Sequence, residues 1–330
     1  MKCAAPILPD VSPSPASRLD FSGTGIADAT LAAKYRALQA RLQGLGEVWI
    51  GFSGGVDSTL LTAVARHVLG RDKVTACLAV GPSLAERERR EALALAELMD
   101  AELKCYPAAE FDNPAYVANG PDRCFHCKAD LFLHLGRFAA AAKAGAAPGR
   151  QGAAEAPALL YGGNLDDTRD YRPGRKAAEL HGALAPLAEA GLGKADVRAL
   201  SRAIGLPTAE KAAQPCLSSR IPYGSAVTPA KLAAVEAGEA ELAAMGLGFR
   251  EFRVRHFGET ARVEVPADQM GLLTEAARRD LAGRLRKAGF ARMEIDPAGF
   301  RSGKLNQALP PESLSRFTDQ PADPEGSGPR

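Results

Sequence analysis

The 330-residue chain has no uninterrupted apolar run long enough to cross a bilayer, so no membrane partner is expected. It has almost no net charge, +2, and a single tryptophan. A basic, aromatic-laced RNA module is therefore missing, and nucleic acid is not an expected partner. Residues 1–10 lack the charged segment and long apolar core of a secretory signal, which points to a reducing, cytoplasmic setting. The six cysteines are Cys3, Cys77, Cys105, Cys124, Cys127 and Cys216, and in that setting close pairs read as metal or redox sites before disulfides. With only one Cys-x-x-Cys, a four-cysteine zinc site cannot form from this chain alone.

What is present begins with Trp49-Ile50-Gly51-Phe52-Ser53-Gly54-Gly55-Val56-Asp57-Ser58. It reads as a buried strand over 48–52, a tight turn, and a helix from Val56 with apolar residues at helical spacing through Leu69. Glycines let backbone amides approach a ligand, and the open N–H groups of the new helix favour phosphate. Ser53 and Ser58 add hydroxyls, and Asp57 is a candidate Mg²⁺ ligand between phosphates. The Lys-Ser/Thr ending of a Walker loop is missing.

Length suggests about two domains. Residues 1–24 and 307–330 read as disordered tails, 25–222 as a first domain with a low-complexity insert at 139–157, and 223–306 as a second. In the first, a helix over 27–45, strands over 73–80, 102–106 and 158–163, and helices over 84–99 and 194–204 alternate as in a parallel sheet with right-handed crossovers. Ligands of such sheets lie at the carboxyl ends of the strands. That places the 53–58 turn there, with Ser83 as a candidate adenine and ribose edge and Gly163, Asn164 and Asp167 as a further phosphate and Mg²⁺ turn. Asp166 and Asp167 read equally as a solvated acidic turn. The second domain reads helix, strand, strand, helix, strand over 229–295, a compact α+β unit.

Cys124 and Cys127 bracket Phe125-His126 at a helix start, a spacing that suits a metal, a surface redox pair, or a half zinc site completed by His126 or His134. Cys77 and Cys105 lie on apolar strands and read as core packing. Cys216 is followed by Ser218, Ser219 and Arg220, which could lower its pKa or hold a phosphate. Arg253 and Arg255 alternate on one strand face, fit for an anion or for solvent.

Ser53–Ser58 resembles the PP-loop of ATP pyrophosphatases. With Gly-Gly-Asn-Leu-Asp-Asp-Thr-Arg-Asp-Tyr-Arg-Pro-Gly at 162–174, Pro-Cys-Leu-Ser-Ser-Arg-Ile-Pro-Tyr-Gly at 215–224 and Phe-Arg-Ser-Gly-Lys-Leu-Asn at 300–306, the chain resembles the LarE family over about residues 27–306. The resemblance implies an α/β fold, a parallel twisted sheet of PP-loop type with a smaller C-terminal α+β domain, and an ATP-dependent sulfur transferase of nickel-pincer nucleotide synthesis. In that family ATP adenylates a carboxylate of pyridinium-3,5-biscarboxylic acid mononucleotide, pyrophosphate leaves, and sulfur displaces AMP to give a thiocarboxylate. Cys216 matches the family's sulfur-carrying cysteine. Some members sacrifice that cysteine, while others hold a 4Fe-4S cluster on three cysteines, and Cys124, Cys127 and Cys216 favour the second kind.

The resemblance also implies ATP and Mg²⁺ as ligands, self-association, a sulfide donor protein and a downstream nickel-inserting enzyme. Ser53, Gly54, Gly55, Val56, Asp57, Ser58, Ser83, Gly163, Asn164 and Asp167 are expected at the nucleotide. Arg220, Glu239, Arg253, Arg255 and Asp268 are expected near the substrate phosphate or a metal. A tRNA thiolase, an amide-forming synthetase and a non-catalytic ATP- or metal-binding protein are the alternatives. The first would need a basic RNA module, the second a glutaminase domain, and the third would bind ATP without releasing pyrophosphate.

Overall fold

The computed structural model describes residues 19–23, 25–144, 156–168 and 173–301. In chain order its elements are α1 (Ala29–Gln43), β1 (Val48–Gly51), α2 (Val56–Leu69), β2 (Val74–Val80), α3 (Glu86–Leu98), β3 (Glu102–Pro107), α4 (Pro114–Ala118), α5 (Arg123–Ala144) and β4 (Ala158–Tyr161). Then follow α6 (Pro173–Leu180), α7 (Pro186–Glu189), α8 (Lys194–Ile204), α9 (Pro229–Ala244), β5 (Arg253–Phe257), β6 (Thr260–Glu264), α10 (Glu275–Lys287) and β7 (Arg292–Ile295).

The first four strands form a parallel sheet in the order β3-β2-β1-β4. Alternation along each strand decides which face its side chains cover. Val48 and Ile50 of β1, with Val74, Ala76 and Leu78 of β2, pack with Leu38 and Leu42 of α1, Leu60, Leu61 and Val64 of α2, and Val197 and Leu200 of α8. Trp49 and Cys77 point the other way, against Leu131 and Leu135 of α5. Both faces are thus buried, as a parallel sheet requires. Each fully buried Leu or Ile here contributes about 1.5–3 kcal/mol of transfer free energy.

The second sheet has the order β5-β6-β7, the first pair antiparallel and the second parallel. Its apolar face carries Val254, Ala261 and Val263 and is covered by Leu232 and Val235 of α9 and by Leu281 and Leu285 of α10. Thr228 and Thr274 cap the two helices, each side chain accepting an amide from the first turn.

This second core also takes in Tyr116 of α4, Leu217 and Ile221, with Cys127 of α5 packed against it. The expected boundary near residue 222 therefore runs through one continuous apolar cluster. Part of the expected 139–157 insert differs as well, because residues 139–144 continue α5. Alanines at 139–142 and 144 sustain the helix, being the best helix formers. The remainder of that insert up to 155, and the expected tails apart from 19–23, lie outside the described residues. β5 begins at Arg253, after a turn in which Gly246 and Gly248 both take left-handed backbone angles. No helix among the described residues is long and apolar enough to cross a membrane.

Candidate active site

β1 ends in the Ser53–Ser58 turn, which is shaped by its own hydrogen bonds. The Ser53 amide donates to Ser58 Oγ (3.3 Å), the Gly55 amide to Ser53 Oγ (3.4 Å), and the Ser58 hydroxyl to the Gly55 carbonyl (3.2 Å). The two hydroxyl oxygens lie 3.1 Å apart, Ser58 buried and Ser53 exposed. Gly54 has φ +70°, and a Cβ there would stand 3.1 Å from Ala92 Cβ. Glycine is thus required twice over, by backbone angle and by the closeness of α3. Buried Val56 anchors the start of α2, whose first amides have no helical acceptor, an arrangement that favours an anion.

The end of β4 closes on this turn. A Cβ on Gly162 would lie 2.7 Å from the Ser58 amide nitrogen. Gly163 and Asn164 follow, both buried. The Asn164 side-chain amide donates to Asp57 Oδ1 (3.1 Å), and its oxygen accepts from the amides of Asp166 and Asp167. Asp167 accepts from the Asn164 amide (3.1 Å). Lys194, at the start of α8, places Nζ 2.5 Å from Asp57 Oδ2. The Lys211 ammonium donates to the Gly54 carbonyl (3.2 Å) and pairs with Glu88 and Glu91 of α3 (2.7 and 2.8 Å). Ser83, the expected nucleotide edge, donates its hydroxyl to buried Glu110 (2.6 Å).

The Ser83 carbonyl in turn accepts the Leu217 amide (2.8 Å), so the Cys216 loop is docked on the carboxyl end of β2. Its other flank is sewn to α4 and α5. Asn119 ends α4 in the left-handed conformation (φ 58°, ψ 46°), and its side-chain nitrogen donates to the carbonyls of Ile221, Pro222 and Ser225. The Gly224 amide donates to the Asn119 carbonyl, and the Val227 amide to that of Val117. Tyr116 shares a 2.7 Å hydroxyl bond with Ser218. Arg123 donates to Asn119 Oδ1 and to the Ser218 carbonyl (2.5 and 2.8 Å) and lies over the Tyr223 ring.

These bonds set the Cys216 loop beside the start of α5, which carries Cys124 and Cys127 about ninety residues earlier in the chain. Cys124 and Cys216 are exposed free thiols, and Cys127 is half-buried. Burial pushes the Cys127 thiol up to about 12; Lys128 opposes this, and the Cys216 and Cys124 thiols add to it. Tyr116 is raised by burial and then by Cys216. Burial works against the Arg123 charge, yet Cys216 and Cys124 outweigh it and hold the guanidinium above its ordinary range. Cys77 is a buried core residue and Cys105 packs against the apolar core, both as expected, and Cys105 is also disulfide-bonded.

Arg220, read from the sequence as a phosphate or thiolate partner, is buried and bonded within the chain. It grips Glu239 with two bonds (2.9 and 3.1 Å) and reaches the carbonyls of Pro215 and Cys216 and the Ser219 hydroxyl. Arg253 and Arg255 do share a face, and both are buried. Arg253 donates to the Ala213 carbonyl (3.1 Å) and stacks over Phe300. Arg255 donates to the Ser219 carbonyl (3.0 Å) and pairs with Glu264 (2.8 Å). Burial, then the charge of Arg220, pulls Arg253 down to about 10. Asp268 is exposed and paired with Arg250 instead (2.6 Å).

Residues 35–117, which carry the phosphate loop, match the NAD synthase family model. An uncharacterized protein of Synechocystis sp. is 38% identical over 280 residues, 84% of this chain and 99% of that protein. A protein of Methanocaldococcus jannaschii, also uncharacterized, is 23% identical over 257 residues, 78% of this chain and 91% of its own. The pyridinium-3,5-bisthiocarboxylic acid mononucleotide synthase of Lactiplantibacillus plantarum is 36% identical over 292 residues, 88% of this chain and 99% of that enzyme. The chain belongs to the LarE family.

In this LarE-family chain, no three His, Cys, Asp or Glu side chains among the described residues converge on a single metal ion. A 4Fe-4S cluster asks for something else, because each thiolate takes a different iron and the sulfurs need not meet at a point. Three thiols that influence one another, two of them exposed, beside a buried cation, fit such a group. Sequence reading missed Lys194, Lys211, Asn119 and Arg123. Lys194 and Lys211 stand far along the chain from the loop they touch, and neither sits in a recognisable spacing. Asn119 and Arg123 flank the Cys-x-x-Cys, and a buried role could have been sought there.

Proposed function

We propose that this LarE-family protein is an ATP-dependent sulfur transferase acting on a pyridinium carboxylate mononucleotide. A substrate carboxylate oxygen attacks the α-phosphorus of ATP, the bond to the β-phosphate breaks, and pyrophosphate leaves. Sulfur then replaces AMP at the acyl carbon to give a thiocarboxylate. The observation that carries this reading is the bond from the Leu217 amide to the Ser83 carbonyl, which sets the Cys216 loop against a strand end beside the phosphate loop.

In this reading the amides of Gly54 and Gly55, the α2 amides and the Ser53 and Ser58 hydroxyls hold the departing pyrophosphate. Mg²⁺ held by Asp57, with Asp167 nearby, would neutralise charge between the phosphates. Lys194 supplies a positive charge at the same carboxylate. A phosphate of the nucleotide substrate docking by Arg253 and Arg255 would relieve the strain of two buried guanidiniums beside Arg220. A 4Fe-4S cluster held by Cys124, Cys127 and Cys216 would supply the sulfur, its fourth iron being free of protein ligands. A cytoplasmic setting, self-association, a sulfide donor protein and a downstream nickel-inserting enzyme complete the proposal.

The test is anaerobic purification with iron and acid-labile sulfide counted, alongside pyrophosphate release with the biscarboxylate nucleotide. About four irons per chain, lost in Cys124→Ala, are expected from the cluster type. Zinc or no metal removes the cluster part. Intact mass after one turnover then reads the second route, in which exposed Cys216 gives up its own sulfur and the chain is lighter by one H₂S. Pyrophosphate release indifferent to the nucleotide overturns the reading as a whole.

A further inference from the structure

We propose that Arg123 is a positioning residue for the three-thiol site, gathering the α5 cysteines to the Cys216 loop and setting a buried positive charge against them. The proposal rests on the cluster reading above. Arg123 is 4% exposed, and among the described residues no carboxylate pairs with it. Its hydrogen bonds go to neutral oxygens, Asn119 Oδ1 and the Ser218 carbonyl, and its third neighbour is the Tyr223 ring. A buried cation without a counter-ion is costly, and proteins keep one where a negative group completes the environment. Here the groups at hand that become negative on binding a metal group are the cysteine sulfurs, Cys124 next in sequence and Cys216 two residues before Ser218.

Two consequences follow from one side chain. Arg123 stands on α5 and its Nη1 bonds the Ser218 carbonyl of the Cys216 loop as well as Asn119, so without it the loop loses a direct tie to the cysteine helix. The charge stabilises whatever negative charge the thiols and their bound group carry, so removing it disfavours the addition of an electron there.

The experiment compares the full-length wild type with Arg123→Gln and Arg123→Lys. Iron-stripped protein is oxidised with diamide, which takes two electrons and two protons from a pair of thiols as the disulfide forms, and pairing among the three cysteines is read by intact mass. Iron-loaded protein is titrated for its reduction potential, followed by absorbance. Glutamine, which lacks both the reach and the charge, is expected to lower disulfide yield severalfold and to make the potential more negative. Lysine is expected to lower the yield while keeping the potential near that of the wild type.

Yields and potentials equal across the three proteins overturn the proposal, and a lysine potential equal to that of glutamine overturns its charge component. A wild type that binds no iron defeats the cluster reading, and the disulfide yields then decide the positioning role alone. Should Arg123→Gln fail to fold by circular dichroism, Arg123→Lys carries the test, because the lysine ammonium sits on a stem one bond shorter and stops short of the Nη1 position that makes both bonds. Undiminished pairing in that variant overturns the positioning role.

Discussion

Lys194 Nζ stands 2.5 Å from Asp57 Oδ2, joining the first turn of α2 to the first turn of α8. The Asn164 side chain holds the other Asp57 oxygen, so three strand-and-helix ends meet at one carboxylate. Lys194→Met removes the ammonium and keeps the bulk. Pyrophosphate release should fall by about 10²–10³, the usual cost of losing one preorganised group that meets developing charge. An unchanged rate would show that the pair only braces the two helices.

Gly162 is the point at which β4 closes on the phosphate loop, its missing Cβ leaving 2.7 Å to the Ser58 amide nitrogen. Backbone cannot yield there as a flexible side chain would. Gly162→Ala should therefore weaken ATP binding by calorimetry while circular dichroism stays that of the wild type. Normal affinity in a folded variant counts against the loop as the nucleotide site.

The Arg220–Glu239 pair is buried on its arginine side, and Arg220 also bonds the Pro215 and Cys216 carbonyls of the turn that carries Cys216. Removing one partner of such a pair leaves an uncompensated charge. Glu239→Gln should cost roughly 3 kcal/mol in urea denaturation, at the low end for buried pairs because Glu239 keeps some exposure. A loss under a few tenths would mean that the loop bonds of Arg220 suffice alone.

Asp196 ties α8 to α1 through Lys34 at 2.7 Å. Burial alone would raise its pKa, but the bonds from Lys34 and the Gly193 amide prevail and hold it below the ordinary value. A depressed folded pKa adds stability that is present above the unfolded value of about 3.9 and is lost as pH falls through the folded one. The denaturation midpoint of the wild type should thus fall more steeply below about pH 4 than that of Lys34→Met, which has less to lose. Parallel acid profiles would exclude the pair as an acid-sensitive brace.

The sheet, the phosphate loop and α8 were legible because each depends on local pattern: apolar alternation in β1 and β2, glycines at a strand end, helical spacing from Lys194 to Ile204. The α4 helix was not, being five residues long and too short for periodicity to register. Its placement is decided by Asn119 bonding to a loop about a hundred residues later, a relation that only the fold creates. The arginines show the same limit. Alternation put Arg253 and Arg255 on one face, but composition could not say that their partners are the carbonyls of the Cys216 loop. Arg220 was read for its charge, and the structure uses both that charge, against Glu239, and its geometry, at the Pro215 carbonyl.

The Cys216 loop is fastened by main-chain groups at both flanks, Leu217 to Ser83 on one side and Gly224 and Val227 to Asn119 and Val117 on the other. None of these bonds uses the side chain at position 216, so a substitution there changes the group the loop presents while its backbone anchors stay in place.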